Sequence, residues 1–179
     1  NMKKIDLPKL LNRNRICLTG GYFLDRKENT SLIRCLFSSS FIFSLLIQMR
    51  TKNNRFISFI SGFFLFFLFR SDISNKAEVS EEIFFPHPMG IVIGSRSSLC
   101  GKIIVFDNTS FGKKYPGTND GMPKLTGIGL IGSGSKLLGE ISLSGKYVIG
   151  ANSVLTQSLK NKTYIASKII DGVYFDNKS

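Results

Sequence analysis

The sequence predicts a mainly β protein: a left-handed parallel β-helix of hexad repeats, preceded by a small α-helical region. Three observations carry that reading. Aliphatic or aromatic residues recur every six positions, at Ile73, Val79 and Phe85, then after a two-residue phase shift at Ile93, Leu99, Val105 and Phe111, and again at Leu125, Ile131, Leu137, Leu143, Ile149 and Leu155. The position after the apolar one is often glycine, as at Gly94, Gly112, Gly132 and Gly150. Residues 1–70 have a different texture, with apolar stretches set between basic residues.

A period of six matches neither an α-helix nor simple strand alternation. Three hexads close one triangular coil, each giving a short strand and a tight turn. The inward aliphatic of each strand stacks on its neighbours in the coils above and below, so the core is a column. Small residues at the corners allow backbone angles that larger side chains resist.

Taken in order, residues 1–30 read as irregular, because Lys and Arg mix with Leu and the Gly20-Gly21 pair breaks any helix. Residues 31–50, apolar with arginines toward both ends, read as a helix, and a polar gap from Thr51 to Arg55 follows. The next run, FISFISGFFLFFLF from Phe56 to Phe69, has no charge and is bounded by Arg55 and Arg70. Its fourteen residues fall short of the roughly 20 that a membrane-spanning helix needs. Two readings stand: a helix packed on a partner subunit or on the end of the repeats, or peripheral membrane contact through the Phe face. The chain therefore divides into a basic, Phe-rich helical region at 1–70, a β-helix domain at 71–170 and a tail at 171–179. Residues 112–124, GKKYPGTNDGMPK, cannot continue a coil, since Pro116, Gly117, Gly121 and Pro123 favour turns. They leave as an excursion from one corner, and such loops carry function more often than coils do.

Composition narrows the classes further. At 179 residues and 42% hydrophobic, the chain can build a core and is not of disordered type. The net charge of +12 is unevenly spread: residues 1–70 hold twelve Lys and Arg against three acids, and eleven of the sixteen phenylalanines. That points to an anionic partner such as a membrane surface or a charged polymer, or else to a solubilising basic face. Nucleic acid is not expected, as no binding motif is present and the repeats are not basic. Cys17, Cys35 and Cys100 are odd in number and widely spaced, which reads as a reducing compartment with three small hydrophobes. No compact apolar run with a small-residue cleavage site opens the chain, so no signal peptide is expected. A β-helix metal hydrolase needs about three histidines per site, and this chain has one, His87. No metal is expected.

A lone histidine still suits base chemistry. A hydroxyl is a poor nucleophile until its proton is accepted during attack. Imidazole titrates near neutral pH and can take that proton and return it to a leaving group. A carboxylate on the far ring nitrogen fixes the tautomer. Asp72 lies fifteen residues before His87, nearly one coil away.

The segments HPMGIVIGSRSSLCGKIIVFDNTSFG and MPKLTGIGLIGSGSKLLGEISLSGKYVIGANSVL resemble the serine acetyltransferase branch of the hexapeptide-repeat acyltransferases, over about residues 71–170. The resemblance implies a homotrimer that binds acetyl-CoA in the groove between β-helices. It implies His87 as catalytic base and Asp72 as its partner. It also implies that Ser133 and Ala151 hold the pantetheine arm and that Thr156 and Lys168 lie near the 3′-phosphate and adenine end. Where the family closes on a GxPA segment, this chain reads IASKII.

Two departures bear on the acceptor. The family usually has an aspartate before the histidine, where this chain has Pro86, and Arg-His before Pro-Lys, where this chain has Gly121-Met122. Those charges hold the amino and carboxylate groups of serine, and each charge-assisted contact is typically worth about 1.5–3 kcal/mol. Their loss leads to the expectation of a sugar or surface-polysaccharide hydroxyl as acceptor, met by Lys113, Tyr115, Asp120, Met122 and Lys124 of the excursion, in the bacterial cytoplasm at the inner membrane face. Serine O-acetylation and a non-catalytic β-helix scaffold are the alternatives.

Overall fold

The computed structural model describes residues 5–18, 32–115, 117, 121–165 and 168–171. Among the described residues from Asp72 to Asp171 the chain winds as a left-handed parallel β-helix with three walls, each a five-stranded sheet. The first wall is β1 (Asp72–Ile73), β3 (Val92–Ile93), β6 (Ser110–Gly112), β9 (Lys136–Leu138) and β12 (Val154–Leu155). The second is β2 (Glu78–Val79), β4 (Ser98–Leu99), β7 (Lys124–Leu125), β10 (Ser142–Ser144) and β13 (Leu159–Lys160). The third is β5 (Lys102–Val105), β8 (Ile128–Ile131), β11 (Lys146–Ile149), β14 (Lys162–Ile165) and β15 (Lys168–Asp171).

Register follows the hexad count. Val92 pairs with Ser110 and Lys124 with Ser142, each one eighteen-residue coil on. Asp72 pairs with Val92 after twenty residues, the extra two being the phase shift read in the sequence. Ser98 pairs with Lys124 after twenty-six, and the additional eight are the excursion. All thirteen apolar hexad residues point inward, and the most accessible of them, Val79, is only 5% exposed. Burying each such side chain contributes about 1.5–3 kcal/mol relative to exposure, so the column dominates the fold's stability.

Among the described residues four helices precede the coils: α1 (Leu7–Leu18), α2 (Leu32–Leu36), α3 (Ser39–Lys52) and α4 (Arg55–Phe69). Helix α1 falls where the sequence reads as irregular. Burial of Leu10 in a small cluster with Cys35 and Phe41 holds it in place despite the mixed local pattern. The single helix expected over 31–50 is two. Ser38 interrupts it by capping α3, its Oγ accepting from Phe41 N–H at 3.2 Å. Asn54 caps α4 in the same way, accepting from Ile57 N–H at 3.0 Å.

Helices α3 and α4 close the open end of the column. Phe43, Ile47, Leu65 and Phe69 join the same apolar cluster as Ile73 and Phe85, and the Phe43 ring meets those of Phe69 and Phe85 edge-on at 5.0 Å. The first coil has no coil before it, so its carbonyls need other donors. Gln48 donates to Val79 O at 3.0 Å and Arg50 to Ile73 O at 3.0 Å. At the far end β15 turns back antiparallel on β14 and covers that edge.

Candidate functional site

The chain reaches the first wall by the same corner on every coil. Backbone bonds stack these corners: Asn108 N–H donates to Met89 O at 2.8 Å, Gly134 N–H to Asp107 O at 2.9 Å and Asn152 N–H to Ser133 O at 2.8 Å. The turn requires a left-handed residue at each level, supplied alternately by Gly90 (φ 65°), Asn108 (54°), Gly134 (74°) and Asn152 (56°).

His87 sits at the top of this column and is exposed. Its ring centroid lies 6.2 Å from that of Phe106 in the next coil. The segment is held in place from both sides: Gly90 N–H donates to Phe69 O at 2.9 Å, and Ser40 Oγ donates to Pro86 O at 3.4 Å. Asp72 opens β1 at the same edge, exposed, with its N–H donating to Ile91 O at 2.9 Å. Among the described residues no hydrogen bond joins Asp72 to His87.

Ser133 and Ala151 lie one and two levels below Phe106, on the column that His87 heads. Ala151 is exposed and Ser133 half-buried. The excursion leaves from the other edge of the first wall, between β6 and β7. Lys113, Tyr115 and Lys124 are exposed there, and Asp120 lies outside the described residues. Met122 is buried: its Cε lies 2.5 Å from where a Gly94 β-carbon would stand, so it folds back onto the coil. Thr156, exposed, follows β12 on the excursion side. Lys168 pairs through its backbone with Ile165 in the closing hairpin. The fold therefore unites His87, Ser133 and Ala151 on one edge, and separates them from the excursion by the width of a wall.

One residue at this corner was not read from the sequence. Asp107 stands on the rung next to His87, between Phe106 and Asn108. Ser133 Oγ donates to its Oδ1 at 2.7 Å and Asn108 Nδ2 to its Oδ2 at 2.8 Å. The Ser133 hydroxyl, working against partial burial and joined by Asn108, the residue's own backbone and the charge of His87, holds this carboxyl below the usual aspartate range. Counting one coil plus the phase shift from His87 leads to position 107, so the signal was present in the spacing. Among the described residues no cluster of three His, Cys, Asp or Glu is placed to hold a metal ion.

No protein-family model matches the chain. It is 30% identical over 130 residues to a serine acetyltransferase of Staphylococcus epidermidis, a match covering 68% of this chain and 57% of that relative. The chain thus spans little more than half the length of the curated relative it matches. Among solved structures it resembles the Neisseria gonorrhoeae serine acetyltransferase, with a TM-score of 0.73 at 19% identity, covering 92% of this chain and 65% of that one. It also resembles a serine acetyltransferase in complex with CoA, with a TM-score of 0.69 at 21% identity, covering 92% and 71%.

These likenesses overturn the sugar or polysaccharide acceptor expected from the sequence, since the relatives are serine acetyltransferases. That expectation weighed only the charges beside His87 and Pro123 in the chain. The coil brings Asp107 to the same corner from twenty residues away, and Lys136, whose Nζ donates to Asn108 O at 2.7 Å, lies one level further. A corner without an aspartate at position 86 is therefore not a corner without charge. In sequence over 130 residues, and in fold over 92% of its length, the chain is similar to the hexapeptide-repeat acyltransferases.

Proposed function

We propose that the protein transfers an acetyl group from acetyl-CoA to the hydroxyl of serine, with His87 as general base. The observation that carries this reading is the position of His87, exposed at the head of a corner column whose lower levels are Ser133 and Ala151. The similarity to serine acetyltransferases supports the acceptor.

Acetyl-CoA would supply the activated acyl group. His87 accepts the hydroxyl proton as the oxygen attacks the thioester carbonyl, and returns it to the sulfur as the C–S bond breaks. The corner suits an extended amide-bearing arm. A β-carbon at Gly132 would stand 2.5 Å from Ala151 N, so the levels pack backbone to backbone and leave little side chain in the way. Asp72 is the acid partner of His87 in this reading, fixing the tautomer and stabilising the imidazolium.

The active unit in this reading is a homotrimer. Within one chain the excursion and His87 lie on opposite edges of the first wall, so an excursion completes the site only when it comes from another copy. Lys113, Tyr115 and Lys124 then face the acceptor. Helix α4 rests on an anionic membrane surface, which sets the protein at the inner membrane face.

The test is CoA release with serine as acceptor, with His87→Ala as control. Release that depends on serine and is lost in the variant supports the reading. Absence of both acetyl-CoA binding and turnover would leave a β-helix scaffold.

A further inference from the structure

We propose that Ser40, in the first turn of α3, positions the base: its hydrogen bond to Pro86 O fixes the peptide unit that leads into His87. The inference rests on His87 being the base and leaves Asp72 as its acid partner. Ser40 is a positioning residue, since it acts through His87 and not on the substrate.

The corner that carries His87 is longer than the corners beneath it. Phe84 pairs in parallel with Ile104, twenty residues on, whereas Val92 pairs with Ser110, eighteen residues on. The two-residue phase shift is therefore spent between these pairs. Val105 N–H donates to Phe84 O at 2.9 Å and Asn108 N–H to Met89 O at 2.8 Å, so the extra residues fall on the His87 segment itself. A segment with surplus residues cannot match the rung below it, and its backbone groups need other partners.

Those partners come from the helices and from the segment's own turn. Ser40 Oγ donates to Pro86 O at 3.4 Å, and among the described residues no other donor reaches that carbonyl. His87 O accepts from Met89 N–H at 2.8 Å, which closes a tight turn over Pro88. Gly90 N–H donates to Phe69 O, the last residue of α4, at 2.9 Å. The ring of Phe85 meets that of Phe43, one turn along α3 from Ser40, edge-on at 5.0 Å. Pro86 and Pro88 flank the base, so the backbone on either side of it is stiff and lacks an N–H to satisfy. A stiff segment turns as a unit, and Ser40 holds the side of it that the ladder leaves open. Ser40 is itself buried, 2% exposed, so water does not compete for the bond. An exposed imidazole on a held backbone keeps its approach to an acceptor hydroxyl, and small misplacements of a base are costly.

The test compares the parent protein with Ser40→Ala and Ser44→Ala. Ser44 is the matched control: it is equally buried in the same helix, but its Oγ donates to Ser40 O at 2.8 Å, within α3. Amide hydrogen exchange at Met89 and Gly90 in the resting protein should quicken roughly threefold to tenfold in Ser40→Ala, and keep the parent rate in Ser44→Ala. With serine as acceptor, Ser40→Ala should lower kcat by about the same factor, with KM for acetyl-CoA unchanged, while Ser44→Ala keeps the parent kcat. Parent exchange rates in Ser40→Ala overturn the inference, as does an equal change in Ser44→Ala or a kcat that Ser40→Ala leaves untouched. Exchange is read without substrate, so it is decided separately from whether serine is acetylated.

Discussion

Asn152 lies over Gly134 so closely that a β-carbon at the glycine would stand 2.1 Å from Asn152 Oδ1. The pair repeats two levels up, where Asn108 Oδ1 would come within 2.3 Å of a β-carbon at Gly90. Both members of each pair need the left-handed region. Asparagine tolerates it and folds its amide inward. Glycine leaves the room. The alternation is thus a packing rule of this corner, and it is the corner that carries His87 and Asp107.

Gly134→Ala should therefore destabilise the fold by about 2 kcal/mol, from left-handed strain and from displacement of Asn152. Gly112→Ala is the matched control, because a β-carbon there meets only Leu138 Cδ2 at 3.9 Å. Thermal unfolding of both variants checks this. Equal melting temperatures would mean that the column adapts without cost.

His87→Ala should lower kcat with serine by about 10²–10⁴-fold, the usual contribution of a positioned base. The side chain is exposed, so stability should hardly change. Calorimetric titration with CoA should show binding retained, which separates a lost base from a lost site.

Lys52 and Glu81 form an ion pair between α3 and the first coil. Burial would raise the Glu81 carboxyl, but the hydrogen bond and charge of Lys52 outweigh it, and the group titrates below the ordinary glutamate range. A carboxyl lowered on folding stabilises the protein above its unfolded value, near 4.3, and that contribution fades as pH falls through the lower folded value. Urea unfolding between pH 7 and pH 3 should show Lys52→Met less stable than the parent at pH 7, with the gap closing toward pH 3. A gap independent of pH would assign the effect to packing of the lysine stem.

The coils were legible from sequence because their repeat is strict. Every apolar hexad residue is inward, and the two-residue shift and the excursion both reappear as register steps of twenty and twenty-six. Helix α1 was not legible, since it depends on the tertiary burial of Leu10 and not on a local pattern. At the candidate site, the column that stacks His87 over Ser133 and Ala151 follows from the hexad count. The resemblance named His87, its partner Asp72, Ser133 and Ala151, whereas a further acid of the same corner was not read. Asp107 required counting forward across a coil. Met122 was assigned to the acceptor, while its contact with Gly94 buries it.

Helix α4 presents the sharpest surface feature. Leu65 and Phe69 face the core, whereas Phe56, Phe59, Phe63, Phe66 and Phe67 are each more than half exposed, and the rings of Phe63 and Phe67 stack at 5.9 Å. Among the described residues no helix is long and apolar enough to cross a membrane. Exposed Arg55 and Arg70 end the apolar face, and the region around it carries twelve basic residues against three acidic ones. Two such faces brought together would set like charge against like charge, whereas an anionic bilayer takes both the rings and the arginines. The protein should co-sediment with vesicles containing phosphatidylglycerol and much less with pure phosphatidylcholine. The double variant Phe63→Ser, Phe67→Ser should weaken that binding by at least about tenfold, since each buried ring is worth roughly 1.5–3 kcal/mol. Raising salt should weaken it as well, because the arginine contribution is screened. Equal partitioning to both kinds of vesicle, or a larger assembly in solution that the double variant reduces to trimers, would assign this face to protein contact instead.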